Sequence, residues 1–190
     1  MLGRLQNLVL RISRTWWLYL LVVAVFSGSL LGLLRIGKRF PELAAGATPF
    51  DLQNDLQADQ VYPQLAGYTE QARELYYTFT MIDFAFPLFA GLFITATVAF
   101  ALRNSLPRFY EALVARKLLP VLMLATAFDW LENVTALAAI SLYPTEFSWL
   151  PVLLVIAKKF KLAFMVFSNG AMFAAVLIAA GVWLLRRRKS

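Results

Sequence analysis

The sequence predicts an all-α fold, a polytopic membrane protein built as a four-transmembrane-helix bundle with an N-terminal amphipathic interfacial helix. Three observations predict it. Of its 190 residues, 61% are hydrophobic and only 15% charged, whereas a soluble domain is nearer half apolar and a quarter charged. Four apolar runs are each long enough to cross a bilayer as a helix. The basic residues gather at the ends of those runs, as they do in membrane proteins. One membrane domain over residues 1–190 follows.

Composition also narrows the chemistry. The chain has no cysteine and no histidine. That excludes disulfides, thiolate chemistry, histidine-ligated haem and most zinc, copper and non-haem iron sites. No cofactor and no metal centre are expected. Any acid–base work falls to carboxylates, lysines or tyrosines. The net charge of +7 is confined to the ends of the spans, so it reads as topology and attraction to lipid. No nucleic acid is expected as a partner.

Residues 1–14 contain no acid, with Leu2, Leu5, Leu8, Val9 and Ile12 on one helical stripe and Arg4, Asn7, Arg11 and Arg14 opposite. Such a helix lies on an anionic membrane surface. The first span is expected over 16–34. A cleaved signal is disfavoured, because the apolar run continues past Ser27-Gly28-Ser29. Gly28 and Gly32 form a GxxxG pair, expected to be a packing groove. Pro41 is expected to stop the helix.

Residues 41–68 are the one sizeable polar stretch, read as an extracytoplasmic loop. Asp51, Asp55 and Asp59 are spaced by four and would share one face of a short helix starting near Pro49. A solvated acidic face is the expectation, since no calcium-loop pattern is present. Thr69 should cap the next helix, which is expected to continue unbroken into the second span, 75–102. Asp83 lies inside its apolar limit with Pro87 at i+4, so a kink would open the backbone beside the acid. Pro107 and Pro120 bracket a short interfacial helix. The third span is expected over 118–142 and the last over 162–185, with Lys158, Lys159 and Lys161 interrupting the apolar run before it. Ser168-Asn169-Gly170, inside the last span, is expected to be a close-packing point.

With four crossings both ends share a side. That side carries Arg4, Arg11 and Arg14, four basic residues between the second and third spans, and four at the tail, against Glu111 alone. The other side balances seven basic residues with seven acids. The positive-inside rule therefore predicts an inner, cytoplasmic membrane location with both termini in the cytoplasm.

The third span holds the candidate site. Asp129, Glu132 and Asn133 fall at i, i+3 and i+4 and project from one helical face, with Thr126 a turn earlier. Carboxyls within a span are costly and persist only opposite charge or hydrogen bonds. If the last helix begins at Trp149, Lys158 and Lys161 reach the depth of Asp83 and Glu132 and share a face. A buried network of Asp83, Asp129, Glu132, Asn133, Lys158 and Lys161 is thus allowed, with Lys159 pointing elsewhere.

Three elements carry a family resemblance: Gly67-Tyr68-Thr69 leading into a helix, Asp83-Phe84-Ala85-Phe86-Pro87, and Asp129-x-x-Glu132-Asn133 followed by an apolar helix with a lysine entering the last span. Over residues 67–165 the chain resembles a family of small four-span bacterial membrane proteins with a D-x-x-E-N element in the third span. The resemblance implies a four-helix bundle in the bacterial inner membrane and no particular activity. Tyr76-Tyr77 departs from it, where a glycine–arginine pair is expected nearby.

Three functional readings follow. The first is an accessory or scaffold protein that packs against a partner membrane protein, another copy of itself or membrane lipids, the network holding helix register. The second binds or transports a proton, a cation or an amphipathic ligand at mid-membrane carboxylates. The third is a membrane-embedded acid–base enzyme, disfavoured because no nucleophile, metal set or phosphate loop accompanies the acids.

Overall fold

The computed structural model describes residues 2–188. Met1, Lys189 and Ser190, which belong to the predicted domain and its basic tail, lie outside the described residues. The described residues form α-helices and short 3-10 turns with no strand. In chain order the helices are α1 (Leu2–Arg14), α2 (Trp16–Leu43), α3 (Val61–Ala66), α4 (Glu70–Ser105), α5 (Pro107–Ala115), α6 (Leu124–Leu142) and α7 (Trp149–Arg187). Four stretches, α2, α4, Leu119–Leu142 and α7, are long and apolar enough to cross a membrane.

α4 is the hub, packing against α1, α2, α6 and α7, while α6 and α7 also pack on each other. Its start is set by Thr69, whose hydroxyl accepts from the Ala72 amide at 3.1 Å. α1 buries Val9 and Ile12 but leaves Leu2 and Leu8 exposed, so protein covers only part of its apolar stripe. Gln6 fastens it by donating to the Val114 carbonyl at 2.9 Å.

Several predicted boundaries move. α2 passes through Pro41 to Leu43, because a proline in the last turn forfeits only one backbone bond. The Pro41 carbonyl accepts from the amides of Ala44 and Gly46, and the chain leaves the helix through left-handed backbone at Ala45, φ 50°, and Gly46, φ 87°. α6 begins at Leu124, since the preceding Leu119–Met123 segment, with Pro120 near its start, is a 3-10 turn. α7 begins at Trp149, so the lysines interrupt the apolar run but not the helix. Lysine is a good helix former, and Pro151 falls within the first turn, where no intrahelical donor is required.

The expected glycine contacts also shift. At Gly28 and Gly170 an added Cβ would meet nothing within 4 Å, so neither is a close-packing point. Gly32 faces Ile82 at an ordinary 3.4 Å. The tight approach is at Gly91 of α4, where a Cβ would come within 2.7 Å of the Thr126 hydroxyl of α6.

Two apolar cores result. One, toward α1 and α5, joins Val9, Leu92, Ala99, Leu119 and Met123. The other is made by the 44–69 segment folding back over the opposite end, where Phe50, Leu56, Val61 and Leu65 meet Phe40, Tyr76, Ile140 and Leu154. The segment closes at its base through the Thr69 hydroxyl, which donates to the Leu43 carbonyl at 2.9 Å. Tyr62 ties it to the α6–α7 link, donating to the Phe147 carbonyl and accepting from the Phe147 amide. Burial pushes the Tyr68 hydroxyl well above its ordinary pKa, and that oxygen has no hydrogen-bond partner.

Thr126 is β-branched and its hydroxyl is bonded to the Pro87 carbonyl at 2.7 Å, so it cannot swing away from a new methyl at Gly91. Gly91→Ala is expected to cost about 1–3 kcal/mol of stability as overpacking. Gly28→Ala should leave stability unchanged or slightly raised. Thermal unfolding of the two variants side by side checks the difference.

Candidate functional site

A layer of charge separates the two apolar cores. It is assembled from α4 (Asp83), α6 (Asp129, Glu132, Asn133), α7 (Lys158, Lys161) and the capping segment (Asp51). The 3.6-residue period puts the three α6 groups on one face, and the i, i+3 spacing does the same for the two lysines. The six groups named from sequence, Asp83, Asp129, Glu132, Asn133, Lys158 and Lys161, are all buried, and Lys159 is exposed.

Lys158 forms an ion pair with Glu132 Oε1 at 2.6 Å and donates to the Phe50 carbonyl at 2.8 Å and the Asp51 carbonyl at 3.2 Å. Lys161 meets Glu132 Oε2 at 2.9 Å, Asp129 Oδ2 at 3.4 Å and the Asp51 carboxylate. An ammonium has three N–H donors, and each lysine here has three partners. The Asn133 amide donates to Asp83 Oδ2 at 2.8 Å and, more weakly, to Asp129 Oδ1 at 3.4 Å. Thr126 stands apart from the charges. Its hydroxyl donates to the Pro87 carbonyl, so it joins α6 to α4 instead of contacting the acids.

Asp51 is the residue that sequence reasoning assigned elsewhere. The expected acidic helix does not form: a 3-10 turn, Phe50–Leu52, gives way at Gln53, and a second turn starts only at Ala58. Asp55 and Asp59 are exposed as expected, whereas Asp51 turns inward onto Lys161. The cause is its neighbour. Phe50 is fully buried among Tyr68 and Tyr76, with ring centroids 5.9 and 5.7 Å away. Anchoring that ring carries the next carboxylate into the cluster. The available signal was an acid framed by Phe50 and Leu52 directly after Pro49.

Asp51, Asp83 and Asp129 each bring a carboxylate oxygen within 4.8 Å of the others, close enough to share a cation. The Lys161 ammonium already bonds two of the three. Hard divalent ions take six or more oxygen ligands, so three carboxylates beside an ammonium make a poor cage for one.

No protein-family model matches the chain, and no curated protein or solved structure is similar to it.

Removing the Asp51 carboxylate's charge should loosen the cap. Asp51→Asn is expected to raise amide hydrogen exchange across 44–69 by about tenfold, equivalent to about 1.4 kcal/mol of local opening, while α6 stays protected. Unchanged exchange would mean that the Phe50 cage alone holds the segment.

Proposed function

We propose that the chain crosses a bacterial inner membrane four times with both termini in the cytoplasm, and that it is an accessory protein. In this reading it packs against a partner membrane protein or lipid, and its charge layer is a structural latch. One observation carries the latch: Lys158 and Lys161 are buried, and the oxygens they contact come from both α6 and the capping segment. The acid–base enzyme remains disfavoured because no nucleophile or phosphate loop accompanies the acids.

Helix lengths support a particular depth. From Lys161 to Arg186 is about 37 Å of helix, and from Asp83 to Arg103 about 30 Å, close to one hydrocarbon thickness. On α2, Gly32 lies against Ile82, so Asp83 is level with the last turn before Arg35. The carboxylates then belong at the outer margin of the bilayer, beneath the cap, instead of at mid-depth. Charges there are far less costly than at the centre.

A second reading is favoured by the charge count. Asp51, Asp83, Asp129 and Glu132 are four carboxyls against two ammoniums, a formal deficit of two positive charges. Protons or a cation would complete the balance, which supports an ion-binding role.

A mutant cycle tests the latch. Glu132→Gln is expected to cost about 3–5 kcal/mol by stranding buried lysines, and the double change Glu132→Leu with Lys158→Met should recover much of that loss. Thermal unfolding in detergent reads both. A Glu132→Gln protein as stable as wild type sinks the latch. A sodium-dependent stabilisation lost in Asp83→Asn would move the weight to ion binding.

The topology is tested separately. Because the chain has no cysteine, Asn54→Cys introduces a unique thiol on the cap. An impermeant maleimide added to intact cells with a permeabilised outer membrane should label it. Labelling only after inner-membrane lysis would invert the orientation.

A further inference from the structure

At the opposite end from the charge layer, α2 and α7 both lean on α4 but hardly touch each other. Between them lies a cleft of about 730 Å³. Its walls are Tyr19 and Leu20 of α2, Phe100 and Ala101 of α4, and Val176 and Ala179 of α7. Its volume falls within the roughly 300–1,000 Å³ of pockets that enclose small ligands. The floor is apolar, with one hydrogen bond across it between the Tyr19 and Thr97 hydroxyls at 2.8 Å.

One end of the cleft is different. Arg14, at the end of α1, and Arg103 and Asn104, near the end of α4, border it together. Arg103 is half-buried, donates to the Ser13 carbonyl at 3.3 Å and lies over the Phe100 ring. Neither arginine forms an ion pair with an acid among the described residues. An arginine fork is suited to a phosphate, and two guanidiniums without a carboxylate leave that role open. The exposed Trp16 and Trp17 stand at the same end, where amphipathic rings favour the headgroup level.

From these observations we propose that the α2–α7 cleft is a binding site for an anionic phospholipid of the cytoplasmic leaflet. Its phosphate lies between Arg14, Arg103 and Asn104, and one acyl chain runs along α4 between α2 and α7. A partner helix would use the apolar walls but give no reason for two arginines without an acidic partner at one end. An uncharged or zwitterionic lipid would likewise leave net positive charge at the rim. The inference rests on the membrane-spanning reading above and deepens it, since the lipid becomes a seated ligand instead of bulk solvent.

The test uses the full chain reconstituted in bilayer discs of phosphatidylglycerol and phosphatidylcholine in equal amounts, then released into detergent for native mass spectrometry. Wild type is expected to retain phosphatidylglycerol in preference to phosphatidylcholine. The double change Arg14→Gln with Arg103→Gln should lower that preference by about five- to tenfold, each arginine at a membrane surface being worth a several-fold factor. Ala179→Trp should lower retention of both lipids by filling the cleft with both arginines in place. Equal retention of the two lipids by wild type, or a preference untouched by both variants, overturns the proposal. So does a second copy of the chain seated there instead. Release of the protein from membranes by alkaline carbonate without detergent would sink the spanning reading itself, a separate outcome from a spanning protein that holds no particular lipid.

Discussion

An ammonium removed from water needs opposite charge and acceptor oxygens around it, and this chain buries two such groups side by side. Meeting that requirement for Lys158 and Lys161 takes two carboxylates of α6, the carboxylate of Asp51 and two backbone carbonyls of the capping segment. The rest of the arrangement follows from it. α7 cannot slide along α6, because a one-residue shift turns a helix by about 100° and takes both lysines off their partners. The cap cannot drift, because two lysine bonds fall on the carbonyls of Phe50 and Asp51. Buried ionic groups are a weak source of net stability but a strict source of register.

The apolar parts act on the same geometry from both sides. Phe40 meets Tyr68 and Tyr76 edge-on, at 5.2 and 5.7 Å, and Phe50 sits among the same rings. That cage supplies the area-driven attraction the charges lack. Below the charges, α6 side chains bond α4 carbonyls near Pro87. Thr126 donates to the Pro87 carbonyl, and Trp130 to the Phe84 carbonyl at 2.9 Å. With Gly91 allowing close approach, α4 and α6 are fixed at a spacing that sets Asn133 against Asp83.

What could be read in advance was what depends on local periodicity. The spacing of Asp129, Glu132 and Asn133 dictates a common face whatever surrounds it, and Lys158 and Lys161 follow the same rule once α7 is traced to Trp149. The helical class and the four apolar stretches follow from composition and length. Asp51 was not legible that way. Its spacing to Asp55 and Asp59 fitted a solvated helix, and its inward turn depends on an aromatic cage drawn from residues 40, 68 and 76. Glycines failed for a related reason. Gly28 and Gly170 look like packing sites, but only three-dimensional placement shows that Gly91 faces Thr126.

The surplus of carboxyls joins the latch and the ion-binding readings in one thermodynamic cycle. Lys161 bonds both the cap, through Asp51, and the helices, through Asp129 and Glu132. A proton or cation taken up by Asp51 or Asp129 would compete with that ammonium for their carboxylates. Occupancy therefore weakens the grip on the cap, and an undocked cap changes affinity for the ion by the same factor, because coupling between two binding equilibria is reciprocal. Asn133 holds one of the surplus carboxyls, Asp83, with a neutral amide. In the ion-binding reading, docking of the capping segment and the charge state of the layer beneath it are one equilibrium viewed from two ends.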